Sequence, residues 1–99
     1  RYAQANGLDL ETLLKAVSTG AAGSAQLNAF GPKIIQGDYA PGFFLKHFIK
    51  DMGLAEEEAE KQELKLPVLH QVLKEYRSLA KEGKGDLGTQ ALFTYYEKK

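Results

Sequence analysis

The sequence contains no cysteine, and this absence excludes several kinds of chemistry. The chain cannot form disulfides, thiolate metal sites or a cysteine nucleophile, and it suits a reducing compartment such as the cytoplasm. Because 13 basic residues balance 13 acidic ones, no overall field attracts the chain to nucleic acid or to an anionic membrane. No run approaches the roughly 18 consecutive apolar residues of a membrane span. We therefore expect a cytoplasmic protein that binds neither nucleic acid nor membrane.

The chain is also short. Its 99 residues, 43% of them hydrophobic, suit one small globular domain and leave no room for a nucleotide domain together with a substrate domain. Residues 1–7 read like the last turns of a helix whose beginning is missing. The sequence therefore indicates a fragment of a longer protein.

Apolar residues recur at helical spacing along most of the chain. Turn-forming glycines and prolines separate the periodic segments, and no alternating strand of convincing length is present. The fold class predicted from this pattern is all-α, a single bundle of about five helices. The predicted helices cover about residues 8–17, 24–36, 43–63, 67–82 and 86–98.

Several residues predict where these helices begin and end. Asp9 and Asp86 are expected to cap the first and last helices, where a carboxylate can accept free backbone N–H groups. Gly37 is available as a left-handed terminal residue of the second helix. Pro32 lies inside that helix and predicts a kink or a shortened helix near Phe30, because proline lacks a backbone donor.

Residues 83–88 spell G-x-G-x-x-G, the dinucleotide-binding fingerprint. The glycines of that motif bind pyrophosphate only where a strand turns into a helix. Here a helix precedes the motif and no βαβ unit is predicted. We therefore interpret Gly83 and Gly85 as linker residues between the last two helices.

Three further sets of titratable residues are predicted to be structural. His47 and Asp51 lie one turn apart, but two ligands are too few for a metal site, so a surface hydrogen bond or ion pair is favoured. His70 is interpreted as a partly exposed residue of the bundle. The glutamates of residues 56–60 point in different directions around a helix and are expected to form a solvated face.

Lys46 and Lys50 share one face of the third predicted helix, with a one-turn offset. Phe43, Phe44 and Phe48 cluster around them. Two ammonium groups in this arrangement could bind phosphate or carboxylate oxygens, and neighbouring aromatic rings would exclude water. A solvated basic patch beside core phenylalanines is the other interpretation, and spacing alone favours it.

Taken in order, these segments resemble the C-terminal domain of the β-hydroxyacid dehydrogenases. This family includes 3-hydroxyisobutyrate dehydrogenase and tartronate semialdehyde reductase and is related to 6-phosphogluconate dehydrogenase. The most specific part is residues 43–55, whose Lys-Asp-x-x-Leu-Ala core is similar to the family's cofactor-contact motif. The residues that carry the resemblance are Gly7-Leu8-Asp9, Leu13-Leu14, Ser18-Thr19-Gly20, Gly37-Asp38-Tyr39, Pro41-Gly42-Phe43, Lys50-Asp51-Met52-Gly53-Leu54-Ala55, Leu66-Pro67 and Gly83-Lys84-Gly85-Asp86.

The resemblance implies an enzyme of two domains. Residues 1–7 would be the end of an interdomain connector helix, residues 8–99 the all-helical C-terminal domain, and the N-terminal Rossmann domain would be absent from this chain. In the family, Lys50 would reach a bound NAD or NADP, Asp51 would support the same site, and Phe43 would line the substrate pocket. The family's catalytic lysine belongs upstream, so no catalytic residue is expected here.

The expected function is therefore that of one half of an NAD(P)-dependent oxidoreductase acting on a short 3-hydroxy acid or its semialdehyde. The isolated chain is expected to be inactive and to supply substrate-pocket, cofactor-contact and oligomerisation surfaces. A stand-alone helical dimerisation or protein-interaction module is the alternative. Either function could use the aromatic faces for a homo-oligomer, through Phe30, Tyr76, Tyr95 and Tyr96.

Overall fold

The computed structural model describes residues 1–97, and helices dominate it. Within that range the only β pairing is an isolated bridge between Phe44 and Gly88. The all-α prediction is confirmed. The elements are α1 (Tyr2–Ala5), α2 (Leu10–Ser18), α3 (Ala25–Gln36), α4 (Leu45–Lys61), α5 (Pro67–Lys81), a 3₁₀ turn (Thr89–Leu92) and α6 (Phe93–Glu97).

Local sequence explains the limits of α3. The Ser24 side chain accepts a hydrogen bond from the Leu27 backbone N–H at 3.0 Å, and Gly37 ends the helix in the left-handed region at φ 70°. Pro32 does not shorten the helix, which continues to Gln36. The residue before proline is normally pushed out of helical geometry by a clash with its Cβ, and Gly31 has no Cβ.

Both predicted aspartate caps need correction. Asp9 occupies the N-cap position of α2, but its carboxylate accepts from the Thr12 hydroxyl instead of from a backbone N–H. Asp86 caps nothing, because helical structure resumes only at Thr89, and its carboxylate pairs with Lys46. Predicted helix residue 98 lies outside the described residues.

The core lies where α4 and α5 pack against each other and against the 3₁₀ turn. Three leucines, Leu45, Leu73 and Leu79, are completely buried there. Two apolar residues of the predicted helices, Leu54 and Val68, lie outside this core and are 54% and 75% exposed. Leu54 follows the buried Met52 by two residues, which places it about 200° further around α4, on the solvent side.

Glu63 follows the end of α4 in the left-handed region, at φ 58°. The Leu64 N–H donates to the Ala59 carbonyl at 2.8 Å and the Glu63 N–H to the Glu60 carbonyl at 3.0 Å. This pair of bonds is the Schellman motif, in which glycine normally occupies the left-handed position. A side chain at this position strains the backbone.

We expect Glu63→Gly to raise the free energy of unfolding by about 0.5–1 kcal/mol. The left-handed conformation costs an L-residue roughly 1–2 kcal/mol, and the extra chain entropy of glycine offsets about half of the gain. Urea denaturation measures the change. Gln62→Gly is the control, because Gln62 has an ordinary φ of −95°. A Glu63→Gly variant no more stable than the parent contradicts the prediction.

Candidate functional site

The residues predicted to contact ligands lie at the start of α4, on what we call the candidate edge, residues 43–51. The Phe43 side chain is 42% exposed, and its ring meets Phe48 edge to face at 6.0 Å between centroids. Lys50 and Asp51 are exposed. Within residues 1–97 neither of these two charged groups has a hydrogen-bond or ion-pair partner.

The loop that follows α5, residues 82–88, holds the candidate edge in place. Gly83 and Gly85 lie in this loop, which confirms that they are linker residues. Residues of the G-x-G-x-x-G sequence form hydrogen bonds with the protein's own backbone here. Three backbone hydrogen bonds reach the candidate edge: Thr89 N–H to Phe43 O (3.1 Å), Leu45 N–H to Leu87 O (2.8 Å) and Lys46 N–H to Gly85 O (3.0 Å). A fourth, from Gly88 N–H to Tyr39 O (2.8 Å), holds the segment that precedes the edge.

Gln90 strengthens this connection, and nothing in the sequence singled it out. It is only 5% exposed, and its Nε2 donates to the Asp38 and Ala40 carbonyls at 3.1 and 3.0 Å. Its Oε1 is buried without a hydrogen-bond partner in the described part of the chain. Because Gln90 lies about 50 residues from its acceptors, no local pattern could have revealed this contact.

Tyr76 contacts the residue that directly follows this loop. Its hydroxyl donates to the Thr89 carbonyl at 2.8 Å, and the side chain is 5% exposed. Burial, and secondarily the Glu75 carboxylate, raises the pKa of Tyr76 to about 12. The tyrosinate is therefore strongly disfavoured in the folded state.

This shift predicts that stability falls at alkaline pH. An unfolded tyrosine ionises near pH 10, about 2 units below the folded value, so the stabilisation is complete below about pH 10 and is lost as pH rises towards 12. Urea denaturation between pH 8 and pH 12 measures the loss. Tyr76→Phe should show a smaller loss than the parent, whereas Tyr2→Phe, at an 80% exposed position, should not differ from it. Parallel curves for Tyr76→Phe and the parent contradict the prediction.

The two lysines of the candidate edge are not equivalent. Lys46 Nζ lies 2.6 Å from Asp86 Oδ1 and 5.4 Å from the centre of the Phe44 ring. A hydrogen bond from Lys46, and then its charge, lower the pKa of Asp86. Lys46 thus pairs with an internal carboxylate, whereas the Lys50 ammonium, the other one on this edge, has no counter-charge within residues 1–97.

His47 and Asp51 do not form the predicted surface pair in the described structure. The His47 ring instead packs on Phe44, with 5.4 Å between ring centroids. Residues 1–97 contain no group of three or more histidine, aspartate or glutamate side chains placed to hold a metal ion.

The acidic segment of α4 is not solvated throughout. Glu56 is partly buried: its Oε1 lies 2.5 Å from His70 Nδ1 and its Oε2 lies 3.8 Å from Arg77. His70, predicted to be partly exposed, has a side chain that is 70% exposed. The prediction of a solvated face was wrong for Glu56, because α5 supplies two partners that the local pattern could not show.

Comparison with known proteins identifies the family. Residues 1–96 match a family model described as NAD-binding of NADP-dependent 3-hydroxyisobutyrate dehydrogenase. The chain belongs to the 3-hydroxyisobutyrate dehydrogenase family. This match confirms both the resemblance seen in the sequence and the prediction that the family uses NAD or NADP.

Curated relatives are similar over nearly the whole chain. The chain is 45% identical over 97 residues to the uncharacterized oxidoreductase YkwC of Bacillus subtilis, covering 98% of the chain and 34% of that protein. It is 44% identical over 97 residues to the probable mitochondrial 3-hydroxyisobutyrate dehydrogenase-like 1 of Arabidopsis thaliana, covering 98% of the chain and 29% of that protein. The chain thus spans about a third of the length of these members of the family.

A solved structure gives the same result. The crystal structure of 3-hydroxyisobutyrate dehydrogenase from Salmonella typhimurium superposes with a TM-score of 0.87 at 25% sequence identity, over 94% of this chain and 33% of that one. In the part of the chain that the structure describes, no helix is long and apolar enough to cross a membrane.

Proposed function

We propose that this chain is the helical domain of an NAD(P)-dependent oxidoreductase and that its candidate edge contacts the bound dinucleotide. The observation that carries the proposal is the exposed Lys50 ammonium, which has no partner within residues 1–97 and lies on an edge held by backbone hydrogen bonds. An unpaired cation of this kind is suited to anionic oxygens. The family match supports a nicotinamide dinucleotide as the ligand.

The donor set on the candidate edge fits such a ligand. Lys50 would bind an anionic oxygen of the dinucleotide, and the neighbouring Asp51 carboxylate would accept a hydrogen bond from one of its hydroxyl groups. The exposed Phe43 ring would form an apolar wall for a short 3-hydroxy acid or its semialdehyde. The dinucleotide, when bound, supplies the hydride-transfer chemistry, and these three side chains bind and orient the dinucleotide and the substrate.

The remaining catalytic parts belong, in our proposal, to a longer protein. Residues 1–7, which contain α1, form the end of a connector helix, and residues 8–99 form the helical domain beside a Rossmann domain. The one-third coverage of the relatives supports this division. Since the family's catalytic lysine has no counterpart in this sequence, we propose that these 99 residues bind ligand without turnover.

We also propose a homo-oligomer, but through a different surface from the one predicted. Tyr76 is in the core, and the Tyr96 hydroxyl donates to Glu75 at 2.6 Å, so these tyrosines stabilise the bundle itself. Apolar side chains are exposed on α2 and just before it instead, beside a cavity of about 500 Å³ between α2 and α3. The exposed apolar residues there are Leu8, Leu13 and Val17. A cytoplasmic location is proposed from the lack of cysteine.

Titration of the isotopically labelled chain with NAD⁺ and NADP⁺, followed residue by residue by NMR, tests the proposed function. Amide shifts should concentrate on the candidate edge, residues 43–51, and on residues 84–90, which hold it in place. The far end of α4 and the start of α5, residues 59–70, serve as an internal control. Shifts confined to that far end, or no saturable shifts, would overturn the proposal.

A further inference from the structure

Asp86 reduces the positive charge that the candidate edge presents. Lys46 and Lys50 lie one turn apart on α4, where the Cβ atoms of such pairs are about 5–6 Å apart. In the described part of the chain only Lys46 has an internal counter-charge, since its Nζ lies 2.6 Å from Asp86 Oδ1. The Asp86 carboxylate therefore pairs with one of two neighbouring ammonium groups.

The backbone on both sides of Asp86 fixes this arrangement. Gly85 and Leu87 accept hydrogen bonds from the Lys46 and Leu45 N–H groups, so Asp86 is held over the first turn of α4. The next two N–H groups of α4, those of residues 47 and 48, both donate to the Phe44 carbonyl. The backbone donors of the first turn are thus already used, and an anion here must be bound by side chains.

The Lys46–Asp86 pair is open to solvent and can be displaced. The two side chains are 51% and 79% exposed. Exposed ion pairs are weak because water and salt screen them. A phosphate group, which offers more charge and more acceptor oxygens than one carboxylate, would compete effectively for the Lys46 ammonium.

We propose that Lys46 is a second phosphate-binding cation of the candidate edge and that the Asp86 carboxylate is an internal competitor that moves aside when phosphate binds. The inference rests on the proposed function, because the phosphate is that of the dinucleotide held by Lys50. Asp86 then weakens phosphate binding. Removing its charge should strengthen binding, provided that Lys46 is present.

The test is an NMR titration of the 99-residue chain with inorganic pyrophosphate at low ionic strength. Asp86→Asn should tighten the Kd about fivefold, and the double variant Lys46→Ala, Asp86→Asn should lose that gain. Asp86→Glu keeps the carboxylate and should restore the parental Kd. Glu60→Gln makes the same charge change about 21 Å from Lys46 along α4, and its Kd should stay within about twofold of the parental Kd.

Several outcomes overturn the inference. The inference fails if Asp86→Asn does not tighten the Kd for pyrophosphate, or if Glu60→Gln tightens it equally. It also fails if the double variant binds pyrophosphate as tightly as Asp86→Asn does. Repeating the titration with NAD⁺ and NADP⁺ separates the sources of phosphate: a gain with both supports the pyrophosphate bridge, and a gain with NADP⁺ alone supports its additional phosphate.

Lys50→Ala separates this inference from the proposed function. If it weakens dinucleotide binding while Asp86→Asn changes nothing, the proposed function stands and the role of Lys46 is overturned. If Asp86→Asn tightens pyrophosphate binding while Lys50→Ala leaves dinucleotide binding unchanged, Lys46 is supported as a phosphate ligand and the proposed role of Lys50 is overturned.

Discussion

Replacing Leu73 by alanine is expected to lower the free energy of unfolding by about 3 kcal/mol, within the 2–5 kcal/mol range typical of buried leucines. Leu73 is completely buried in the cluster that joins α4, α5 and the 3₁₀ turn. Truncation removes apolar contacts and leaves a cavity that the neighbouring Leu45, Met52 and Leu79 cannot fill without repacking. Because small domains are stable by only about 5–15 kcal/mol, this loss is a large share of the total.

Leu54→Ala is the matched control for this variant. It deletes the same atoms from a side chain that is 54% exposed on α4, and it should change stability by less than about 1 kcal/mol. Urea denaturation of both variants followed by circular dichroism measures the difference. Equal losses would mean that the packed interface of α4 and α5 is not where the domain derives its stability.

The second large effect is expected at Lys50. In the longer oxidoreductase to which we assign this domain, Lys50→Ala should weaken the Kd for the dinucleotide about tenfold or more. Hydrogen bonds to charged groups contribute about 1.5–3 kcal/mol, and 1.4 kcal/mol corresponds to a factor of ten. The loss should appear in kcat/KM as well, because the cofactor must be held for hydride transfer.

Lys61→Ala provides the comparison for Lys50. Lys61 lies on the same helix, and its removal makes the same charge change, but its ammonium pairs with Glu58 at 3.3 Å far from the candidate edge. This variant should bind the dinucleotide like the parent. If Lys50→Ala changes the Kd and kcat/KM by less than about twofold, the assignment of Lys50 is wrong.

Local sequence was sufficient to predict most of the helices. The positions of α2 to α5 follow from apolar periodicity, and three of their limits follow from single residues: Ser24 at the start of α3, Gly37 at its end and Pro67 at the first position of α5. Each of these residues acts on backbone within about four positions of itself, so a local sequence pattern is enough to predict its effect. The start of the final helical segment was mispredicted because Asp86 interacts with Lys46, far away in the chain.

The candidate site was predictable only in part. Phe43, Lys50 and Asp51 came from the resemblance to a known family, and the family itself is now established by the match over residues 1–96. Their individual roles remain proposals. Spacing also presented Lys46 and Lys50 as equivalent, and it placed Tyr76 on a surface for partners although that side chain is buried.

The sequence by itself determined the all-α class, the approximate helices and the family, because these depend on neighbouring residues and on short motifs. Tertiary structure decided which of the two lysines carries a free charge, which loop supports the candidate edge and which aromatic side chains form the core. The contacts of Asp86 and Gln90 cross 40 to 52 residues of chain. Such contacts exist only after the helices have packed, when the loop that follows α5 lies against the start of α4.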